Sequence, residues 1–240
     1  MKVIVCVKQV PDTSGKVAVN DDGTLNRASM ETITNPDDMN AVEAALKLKD
    51  ETGCKVIVVT MGPPPAEGML RELIAMGADE GYLISGREFG GSDTYATSQI
   101  VAAGINTIGV EKGDIVMCGR QAIDGDTAQV GPQIAEKLGL PQVTYAADIH
   151  KDGENITVKR MLEDGYMTIK VQTPCLLTCI KELNEPRYMS VGGIFEAYSK
   201  PVTVLDYEAL KDDPLIVAST IGLKGSPTNI LVSFTPPQKG

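Results

Sequence analysis

Four short apolar runs, each followed by a stretch with the spacing of a helix, constrain the fold of this chain most strongly. The runs are Val3–Val7, Lys55–Thr60, Gly81–Ile84 and Asp114–Cys118. Runs with little polar alternation are typical of strands buried on both faces of a parallel sheet. Because strands and helices alternate at least four times before residue 140, the sequence predicts an α/β fold. Its sheet should be doubly wound, mostly parallel and Rossmann-like, with right-handed crossovers.

Three regions depart from this alternation. A turn signal at Asn20–Gly23 predicts a small hairpin that leaves the sheet. Between residues 141 and 180, strand-like segments are separated by Asp-Gly turns, which predicts an antiparallel addition that returns to the sheet. From Asn184 onward, short apolar pieces lie between prolines and glycines. So long an irregular segment is expected to lie as an arm across another surface.

Composition excludes several classes of function. The 240 residues carry a net charge of −10 at pH 7, which argues against nucleic acid because phosphate backbones require clustered cations. No run approaches the ~18 apolar residues of a membrane span, and Met1 leads directly into the first predicted strand, so a cytoplasmic protein without a membrane span is expected. The five cysteines are expected to be reduced, mostly core thiols. The single histidine excludes a His-rich metal site.

The glycine- and aspartate-rich stretch Gly119–Pro132 lies between the fourth apolar run and the next helix pattern. A turn from the carboxyl end of a strand into a helix leaves backbone N–H groups unpaired, and such groups bind phosphate well. Because Pro132 belongs in the first turn of a helix, we expect the N–H groups of Thr127–Gly131 to meet a pyrophosphate. Asp126 and Gln129 have the spacing of a capping box. The alternative is a tight, well-capped turn without a ligand, and the local spacing does not decide between the two.

A second helix start lies at Asn35–Asp38, where asparagine suits the N-cap, proline the first turn, and two acids the positive end of the helix dipole. Asp37 and Asp38 could also serve a ribose, and the dipole is the preferred interpretation. The sequence has no Walker motif and no Gly-x-Ser-x-Gly, and nothing in it resembles an acid–base pair. If the chain takes part in a reaction, the reactive atoms are therefore expected to belong to a bound cofactor.

Several segments, in order along the chain, together resemble the β subunit of electron-transfer flavoprotein. They are residues 7–12 (VKQVPD), 35–38 (NPDD), 41–45 (AVEAA), 76–79 (MGAD), 119–131 and 183–188 (LNEPRY). The resemblance implies a nucleotide- or FAD-binding α/β domain in residues 1–185, which pairs with a separate, flavin-carrying α subunit. It also implies a partner-recognition loop and C-terminal arm in residues 186–240. From about Ser199 the arm is expected to hold the α subunit rather than complete the core of this chain.

The resemblance places the nucleotide slot at strand ends and helix starts, where open parallel sheets bind ligands. The implied cofactor-binding residues are Cys6, Asn35, Pro36, Asp37, Asp38, Met61, Gly119, Arg120, Gln121, Ala122, Ile123, Asp124, Gly125, Asp126, Thr127, Ala128, Gln129 and Val130. Carboxylates at Asp124 and Asp126 would repel a phosphate, so we expect both to turn back and cap the turn, leaving the backbone to bind. Gly125 is expected to clear space beside the pyrophosphate, in a turn that favours positive φ.

The resemblance further implies a docking loop for a partner dehydrogenase at Arg187, Tyr188, Met189, Ser190 and Val191. Val191 matches a leucine that the family inserts into the dehydrogenase, and Gly192–Gly193 is expected to loosen the loop. A small apolar anchor of this kind suits a transient interface. The alternative is that Val191 packs inside the arm.

The family has two classes. In one, the slot holds AMP as a structural ligand, and the heterodimer shuttles single electrons. In the other, the slot holds a second FAD, and electrons from NADH are split between ferredoxin or flavodoxin and, through the α-subunit FAD, an acyl-CoA dehydrogenase. The segment Asp124–Thr127 is similar to this FAD-binding, electron-bifurcating class, as is Gly90–Thr94 before a predicted helix. The glycine pair of this second segment, Gly90–Gly91, is expected to make room for an isoalloxazine ring.

Two alternatives to the bifurcating subunit stay open. One is the AMP-holding β subunit, in which this chain has a structural role only. The other is a stand-alone nucleotide-binding regulatory module of similar fold, against which the long arm argues. Whether the chain is itself an enzyme is also open, since it could be an electron carrier or the NADH-dependent flavin oxidoreductase component of a bifurcating complex.

Overall fold

The computed structural model describes residues 1–12 and 31–228. The predicted hairpin around Asn20–Gly23 and the end of the predicted arm, residues 229–240, lie outside the described residues. The strands are β1 (Lys2–Cys6), β2 (Gln9–Pro11), β3 (Thr32–Thr34), β4 (Lys55–Met61), β5 (Glu80–Ile84), β6 (Ile115–Gly119), β7 (Gln142–Asp152), β8 (Asn155–Met161), β9 (Tyr166–Gln172), β10 (Cys175–Cys179) and β11 (Val202–Leu205). The helices are α1 (Pro36–Thr52), α2 (Glu67–Met76), α3 (Thr94–Ile108), α4 (Val130–Leu138), α5 (Val191–Glu196), α6 (Tyr207–Leu210) and α7 (Gly222–Gly225). None of these helices is both long and apolar enough to cross a membrane.

Nine of these strands form one sheet, in the order β11-β5-β4-β1-β6-β10-β7-β8-β9. Neighbours from β11 to β7 pair in parallel, and β8 and β9 continue the sheet with antiparallel pairing. The predicted mostly parallel α/β sheet with an antiparallel addition is therefore confirmed. β2 and β3 form a separate antiparallel pair.

Each face of the parallel sheet carries its own apolar core. Val3 and Val5 belong to the core covered by α1 and α2, whereas Ile4 and Cys6 belong to the core covered by α3 and α4. Successive side chains of a strand point to opposite faces, so a strand covered on both sides must be apolar at every position. This requirement explains why the apolar runs of the sequence become the central strands.

The chain reverses its direction across the sheet between β1 and β6. From β1 it proceeds to β4 and β5 on one side, and α3 then carries it back to β6 on the other side of β1. The connections that leave these two strands diverge, and a crevice opens between their carboxyl ends. Open α/β sheets bind ligands in such a crevice, which makes this switch point the candidate ligand site.

β11 is an edge strand of the main sheet, and it pairs with β5 from Val202 to Leu205. Further along the chain, Leu210, Ile216 and Ile221 are buried in the core that contains α3. The expectation that the segment from about residue 199 does not complete the core is therefore wrong. Its physical cause is that β5 would otherwise present an unpaired edge, and α3 an apolar side, to water. Contact of residues 186–240 with another chain stays a prediction.

Candidate functional site

A cavity of about 350 Å³ opens at the switch point between β1 and β6. The carboxyl ends of β1, β4 and β6 form one part of its lining, and the starts of α3 and α4 with the β6–α4 loop form the rest. Its volume lies in the range of small-molecule sites. The predicted site residues that line it are Cys6, Asp38, Met61, Gly119, Arg120, Gln121, Ala122, Gly125, Thr127, Ala128, Gln129 and Val130. Binding of a ligand by these residues stays a prediction.

The remaining predicted site residues do not line the cavity: Asn35, Pro36, Asp37, Ile123, Asp124 and Asp126. Asn35 is fully buried, and its side chain donates to Gln121 O at 2.8 Å and accepts from Ile123 N at 3.0 Å. It stands at the N-cap of α1, but its side chain makes no cap hydrogen bond to the backbone of that helix. The expected capping by its side chain is therefore wrong, because the amide ties the start of α1 to the β6–α4 loop instead.

The β6–α4 loop presents backbone N–H groups next to the cavity. Asp126 and Ala128 have φ angles of 49° and 52°, in the left-handed region where residues with a side chain are strained. Among the described residues, the N–H groups from Thr127 to Gly131 have no acceptor. Unpaired donors between a strand end and a helix start are the arrangement that a phosphate requires.

The side chains of this loop do not form the predicted capping box. Gln121 Nε2 donates to Asp126 Oδ1 at 2.6 Å, and Thr94 Oγ1 donates to Gln129 Oε1 at 2.9 Å. α4 begins at Val130, and Gln129 at its N-cap makes no side-chain cap bond. The predicted capping box does not form, because the carboxylate of Asp126 and the side-chain amide of Gln129 bond to other side chains instead.

Asp124 is paired with a cation that lines the cavity. Both of its carboxylate oxygens accept from Lys8 Nζ, at 2.7 and 2.8 Å. The expectation that Asp124 and Asp126 cap the turn is wrong in both cases, since Lys8 holds one carboxylate and Gln121 the other. Because its charge is compensated, Asp124 repels an anion in the cavity less than a free carboxylate would.

Two glycine positions differ from expectation. Gly125 has no positive φ, and a Cβ built there meets no atom within 4 Å, so the turn itself does not require glycine at this position. Gly91 has a φ of 74°, and its Cβ would lie 2.9 Å from the Cβ of Leu223. Glycine at 91 is therefore explained by packing of the C-terminal segment. Space for an isoalloxazine ring beside Gly90 and Gly91 stays a prediction.

Asp38 joins the ends of the two strands that border the crevice. Its Oδ2 accepts from Lys8 N at 2.9 Å, just after β1, and its Oδ1 accepts from Gly119 N at 2.7 Å, at the end of β6. A Cβ at position 119 would lie 2.5 Å from Asp38 Oδ1, so this close approach requires glycine. Burial raises the pKa of Asp38 to about 7, although the two N–H donors oppose the shift. Beyond any effect on the helix dipole, this carboxylate fixes the wall of the cavity.

Arg120 lines the cavity and is paired with Asp37 behind it. Arg120 Nε lies 3.3 Å from Asp37 Oδ2, in an ion pair without the geometry of a hydrogen bond. Both atoms are buried without a hydrogen-bond partner, which is rare unless a ligand or water completes the site. Burial raises the pKa of Asp37, and the charge of Arg120 opposes that shift. The guanidinium also lies 5.9 Å from the centre of the Tyr145 ring.

Cys6 and Cys118 are paired neighbours on β1 and β6, and both line the cavity. Burial, with a further contribution from Asp38, raises the pKa of Cys6 to about 12, and burial also raises the pKa of Cys118. Both thiols are therefore protonated at neutral pH and supply no thiolate for nucleophilic chemistry. All five cysteines are free and buried, as the sequence predicts.

A second cavity of about 660 Å³ adjoins the first, and Met61 and Ser92 line both. It is bordered by the segments that follow β4 and β5, residues 62–64 and 85–91. The C-terminal segment holds the loop between the two cavities, because Gly222 N donates to Ser92 Oγ at 3.1 Å. The two cavities therefore lie side by side, on either side of Met61 and Ser92.

Sequence reasoning missed part of the lining. The missed residues are Val7, Lys8, Val59, Ser92, Asp93, Thr94, Thr97, Val101, Cys118 and Ile134. Lys8, Val59 and Cys118 lie at or near the carboxyl ends of parallel strands, so the rule for ligand sites in such sheets could have found them. The missed residues of α3 were harder to find, because the only sequence feature that pointed to them was the start of a helix after β5.

The predicted docking residues lie at the start of α5. Tyr188 is 97% exposed and Val191 is 74% exposed, so the alternative that Val191 packs inside the arm is wrong. The loosened loop expected from Gly192–Gly193 is also wrong, since Ser190 Oγ accepts from Gly193 N at 2.9 Å and caps a short helix. Gly193 is needed there because a Cβ would collide with the carbonyl oxygen of Ala75 in α2.

Arg187 anchors this exposed segment to α1. Its backbone N–H and its Nε both donate to Glu43 Oε2, at 3.0 and 2.9 Å, and its Nη2 donates to Asp50 Oδ2 at 2.7 Å. These bonds raise the pKa of Arg187 further above its ordinary value. The side chain is thus held by its own chain, and its contact with a partner stays a prediction.

The fold is that of an open, doubly wound α/β protein with a crevice at its switch point, and residues 22–210 match the family model of the electron transfer flavoprotein domain. The chain belongs to the electron transfer flavoprotein family. Its similarity to β-type subunits extends over the whole sequence, which confirms the resemblance noted from the motifs.

Three similar proteins cover all of this chain and 90% of their own length. The acryloyl-CoA reductase electron transfer subunit gamma of Anaerotignum propionicum is 73% identical over 241 residues. The caffeyl-CoA reductase-Etf complex subunit CarD of Acetobacterium woodii is 56% identical over 241 residues. The electron transfer flavoprotein subunit beta of Clostridium acetobutylicum is 52% identical over 240 residues. Such similarity over nearly the full length makes this chain an electron-transfer-flavoprotein β-type subunit of an electron transfer complex.

Proposed function

We propose that this chain holds FAD in the cavity between β1 and β6 and serves as the β subunit of an electron-bifurcating heterodimer in the cytoplasm. Its partner would be the flavin-carrying α subunit of the family. The observation that carries the proposal is the row of N–H groups from Thr127 to Gly131, which lack an acceptor in the described chain and border the cavity. A pyrophosphate would satisfy these donors and would gain from the positive end of α4.

FAD is preferred to AMP because a second cavity lies beside the first. The two cavities share Met61 and Ser92 in their linings, and the second has about 660 Å³ of space. A ligand with its adenylate part beside the β6–α4 loop would have room for a further ring system there. Thr94 and Gln129, which hydrogen-bond to each other, line the same cavity on the side of α3 and α4.

The chain supplies binding and orientation rather than reactive side chains. The thiols of Cys6 and Cys118 are protonated, and Asp38 is engaged by two backbone donors. When bound, FAD would supply the redox chemistry, because a flavin can accept a hydride from NADH and release single electrons. We propose NADH as the donor, ferredoxin or flavodoxin as one acceptor, and the α-subunit FAD and an acyl-CoA dehydrogenase as the other path. Names of similar proteins, an acryloyl-CoA reductase subunit and a caffeyl-CoA reductase-Etf subunit, support an acyl-CoA partner.

Direct identification of the bound nucleotide tests the proposal. The heterodimer would be purified, its absorption spectrum recorded, and the nucleotides released by acid and separated by chromatography. The expected result is two FAD per heterodimer and no AMP. One FAD together with one AMP would contradict the proposal and favour the AMP-holding subunit, in which this chain has a structural role.

That alternative has one observation in its favour. The first cavity is lined mainly by the β1–α1, α3 and β6–α4 regions, and its volume of about 350 Å³ is at the lower end for ligand sites. No comparable observation favours the stand-alone regulatory module, and the relatives named as electron-transfer subunits argue against it.

A further inference from the structure

Two cations line the first cavity in the described part of the chain, and each is paired with an acid that does not line it. Arg120 pairs with Asp37, and Lys8 pairs with Asp124. An anionic ligand in the cavity would therefore meet cations whose charges are already compensated. A cation would meet the ligand with its charge uncompensated only after leaving its acid.

The two pairs differ in how readily they can exchange. Arg120 Nε and Asp37 Oδ2 are both buried, and although the Arg120 side chain as a whole is 36% exposed, that of Asp37 is only 14% exposed, so separating them would leave a mostly buried carboxylate unpaired, which is costly. The Lys8 side chain is 48% exposed and that of Asp124 is 33% exposed, and ion pairs of this kind contribute little stability. Water can solvate Asp124 as soon as Lys8 leaves it.

The backbone of Lys8 is fixed, whereas its side chain is about half exposed. Its N–H donates to the buried carboxylate of Asp38 at 2.9 Å, at the carboxyl end of β1. A flexible side chain of four carbons therefore starts from a fixed point on the cavity lining, and its ammonium group can move between the loop carboxylate and the interior of the cavity.

We infer that Lys8 exchanges Asp124 for the phosphate of the bound nucleotide, whereas Arg120 stays on Asp37. The inference rests on the proposed function, because it requires a nucleotide in this cavity. It assigns Lys8 as a ligand-binding cation and Asp124 as its competitor. Replacing the two partners of this ion pair should therefore change nucleotide affinity in opposite directions.

The test titrates AMP, FAD and adenosine into the nucleotide-stripped heterodimer by calorimetry, for the parent, Lys8→Met and Asp124→Asn. Lys8→Met should weaken AMP and FAD binding roughly 10- to 100-fold, the usual range for a hydrogen bond to a charged group. It should leave adenosine, which has no phosphate, unchanged. Asp124→Asn should tighten AMP and FAD binding by up to about fivefold, since the exposed competing pair is weak.

Lys112→Met and Glu154→Gln are matched controls, because these residues form an exposed ion pair of 2.8 Å whose members do not line the cavity. Neither should change affinity. Weaker binding in both Lys8→Met and Asp124→Asn would mean that the pair only supports the loop, and would overturn the inference. Unchanged phosphate affinity in Lys8→Met, with a parent that binds AMP or FAD, would overturn it too and leave the proposed function intact. A parent that binds neither nucleotide would contradict both.

Discussion

Gly125 and Ala128 lie three residues apart in the β6–α4 loop, and the structure reverses the roles that their residue types suggest. Gly125 has ordinary backbone angles and open space where a Cβ would be, whereas Ala128 has the left-handed φ of 52°. The reversal separates two effects that the sequence alone could not separate. Substitutions at Gly125 report on the ligand, and substitutions at Ala128 report on the strain of the loop.

Gly125→Val should lower nucleotide content without destabilising the chain. A Cβ at this position meets no protein atom within 4 Å, and residue 125 borders the cavity, so we expect the valine to crowd a bound ligand rather than the protein. If the slot holds FAD, the variant heterodimer should lose about half of its flavin and keep the flavin of the α subunit. After nucleotide removal, its unfolding temperature should equal that of the nucleotide-free parent. Flavin counting and thermal unfolding are the measurements. Full flavin content in the variant would show that the ligand does not approach residue 125.

Ala128→Gly should raise the free energy of unfolding by about 1 kcal/mol, because glycine adopts the left-handed region without the penalty that a Cβ incurs. Urea unfolding of the nucleotide-free protein measures the change. Gly125→Ala is the control, since position 125 has no such strain to relieve. A variant less stable than the parent would contradict the assigned strain.

Asp38 should make stability depend on pH. Its folded pKa of about 7 lies above the ordinary aspartate value of 3.8, so the folded state binds the proton more tightly than the unfolded chain. The contribution of this proton to the free energy of unfolding is complete below pH about 4 and is lost as the pH rises to about 7. Relative to Asp38→Asn, the parent should therefore lose stability between these values, as measured by urea unfolding across the window. Asp164→Asn, in an exposed turn, is the control, and parallel pH profiles for the parent and Asp38→Asn would refute the prediction.

At the scale of residues, the sequence predicted the location of the site better than its contacts. Gly119 and the loop after it were recognisable because a strand, a glycine-rich turn and a helix follow one another. The hydrogen-bond partners of Asn35, Asp124 and Asp126 were not predictable from local spacing. Asn35 and Asp124 bond to residues of other segments, and Asp126 bonds to a residue at the start of its own loop. Such pairings depend on the fold of the whole crevice rather than on local spacing.

At the scale of elements, β11 and the segment after it belong to the core. β11 pairs with β5, and Leu205, Leu210, Ile216 and Ile221 are buried. The sequence did not predict this because β11 has only four residues, lies between a proline and an aspartate, and is half exposed. The central strands were predictable because burial on both faces demands uniformly apolar sequence.

Truncation after Lys200 should prevent stable folding of the chain itself. Burial of each large aliphatic side chain contributes roughly 1.5–3 kcal/mol, so losing four of them removes an amount comparable to the whole stability of a typical domain. Circular dichroism and limited proteolysis should show a loosened chain, with loss of pairing to the α subunit as a consequence. Truncation after Thr228, which keeps every described element, is the control. A chain ending at Lys200 with the parent's unfolding midpoint would contradict the role of this segment in the core.

At the scale of the whole molecule, the described residues leave several large side chains around α5 exposed. Tyr188, Val191, Phe195 and Tyr198 are each more than 70% exposed, and Arg187 fixes the start of the segment to α1. The sequence predicted this docking surface only through its resemblance to a family. Neither the hydrophobic periodicity nor the spacing of these residues indicated it. Exposed apolar residues near one another indicate an interaction surface, but nothing local to the chain specifies what covers it.

Val191→Asp should impair electron delivery to the proposed acyl-CoA dehydrogenase partner. The substitution places a carboxylate where an apolar side chain would be desolvated, and central contacts of a small interface commonly contribute 2 kcal/mol or more. We expect the apparent KM for the dehydrogenase to rise at least about tenfold, with nucleotide content and unfolding temperature unchanged. Steady-state turnover at limiting dehydrogenase is the measurement. Val217→Asp is the matched control, because Val217 is also exposed, at 48%, but lies outside the α5 surface. Equal turnover of Val191→Asp and the parent at low dehydrogenase concentration would show that this surface serves some other contact.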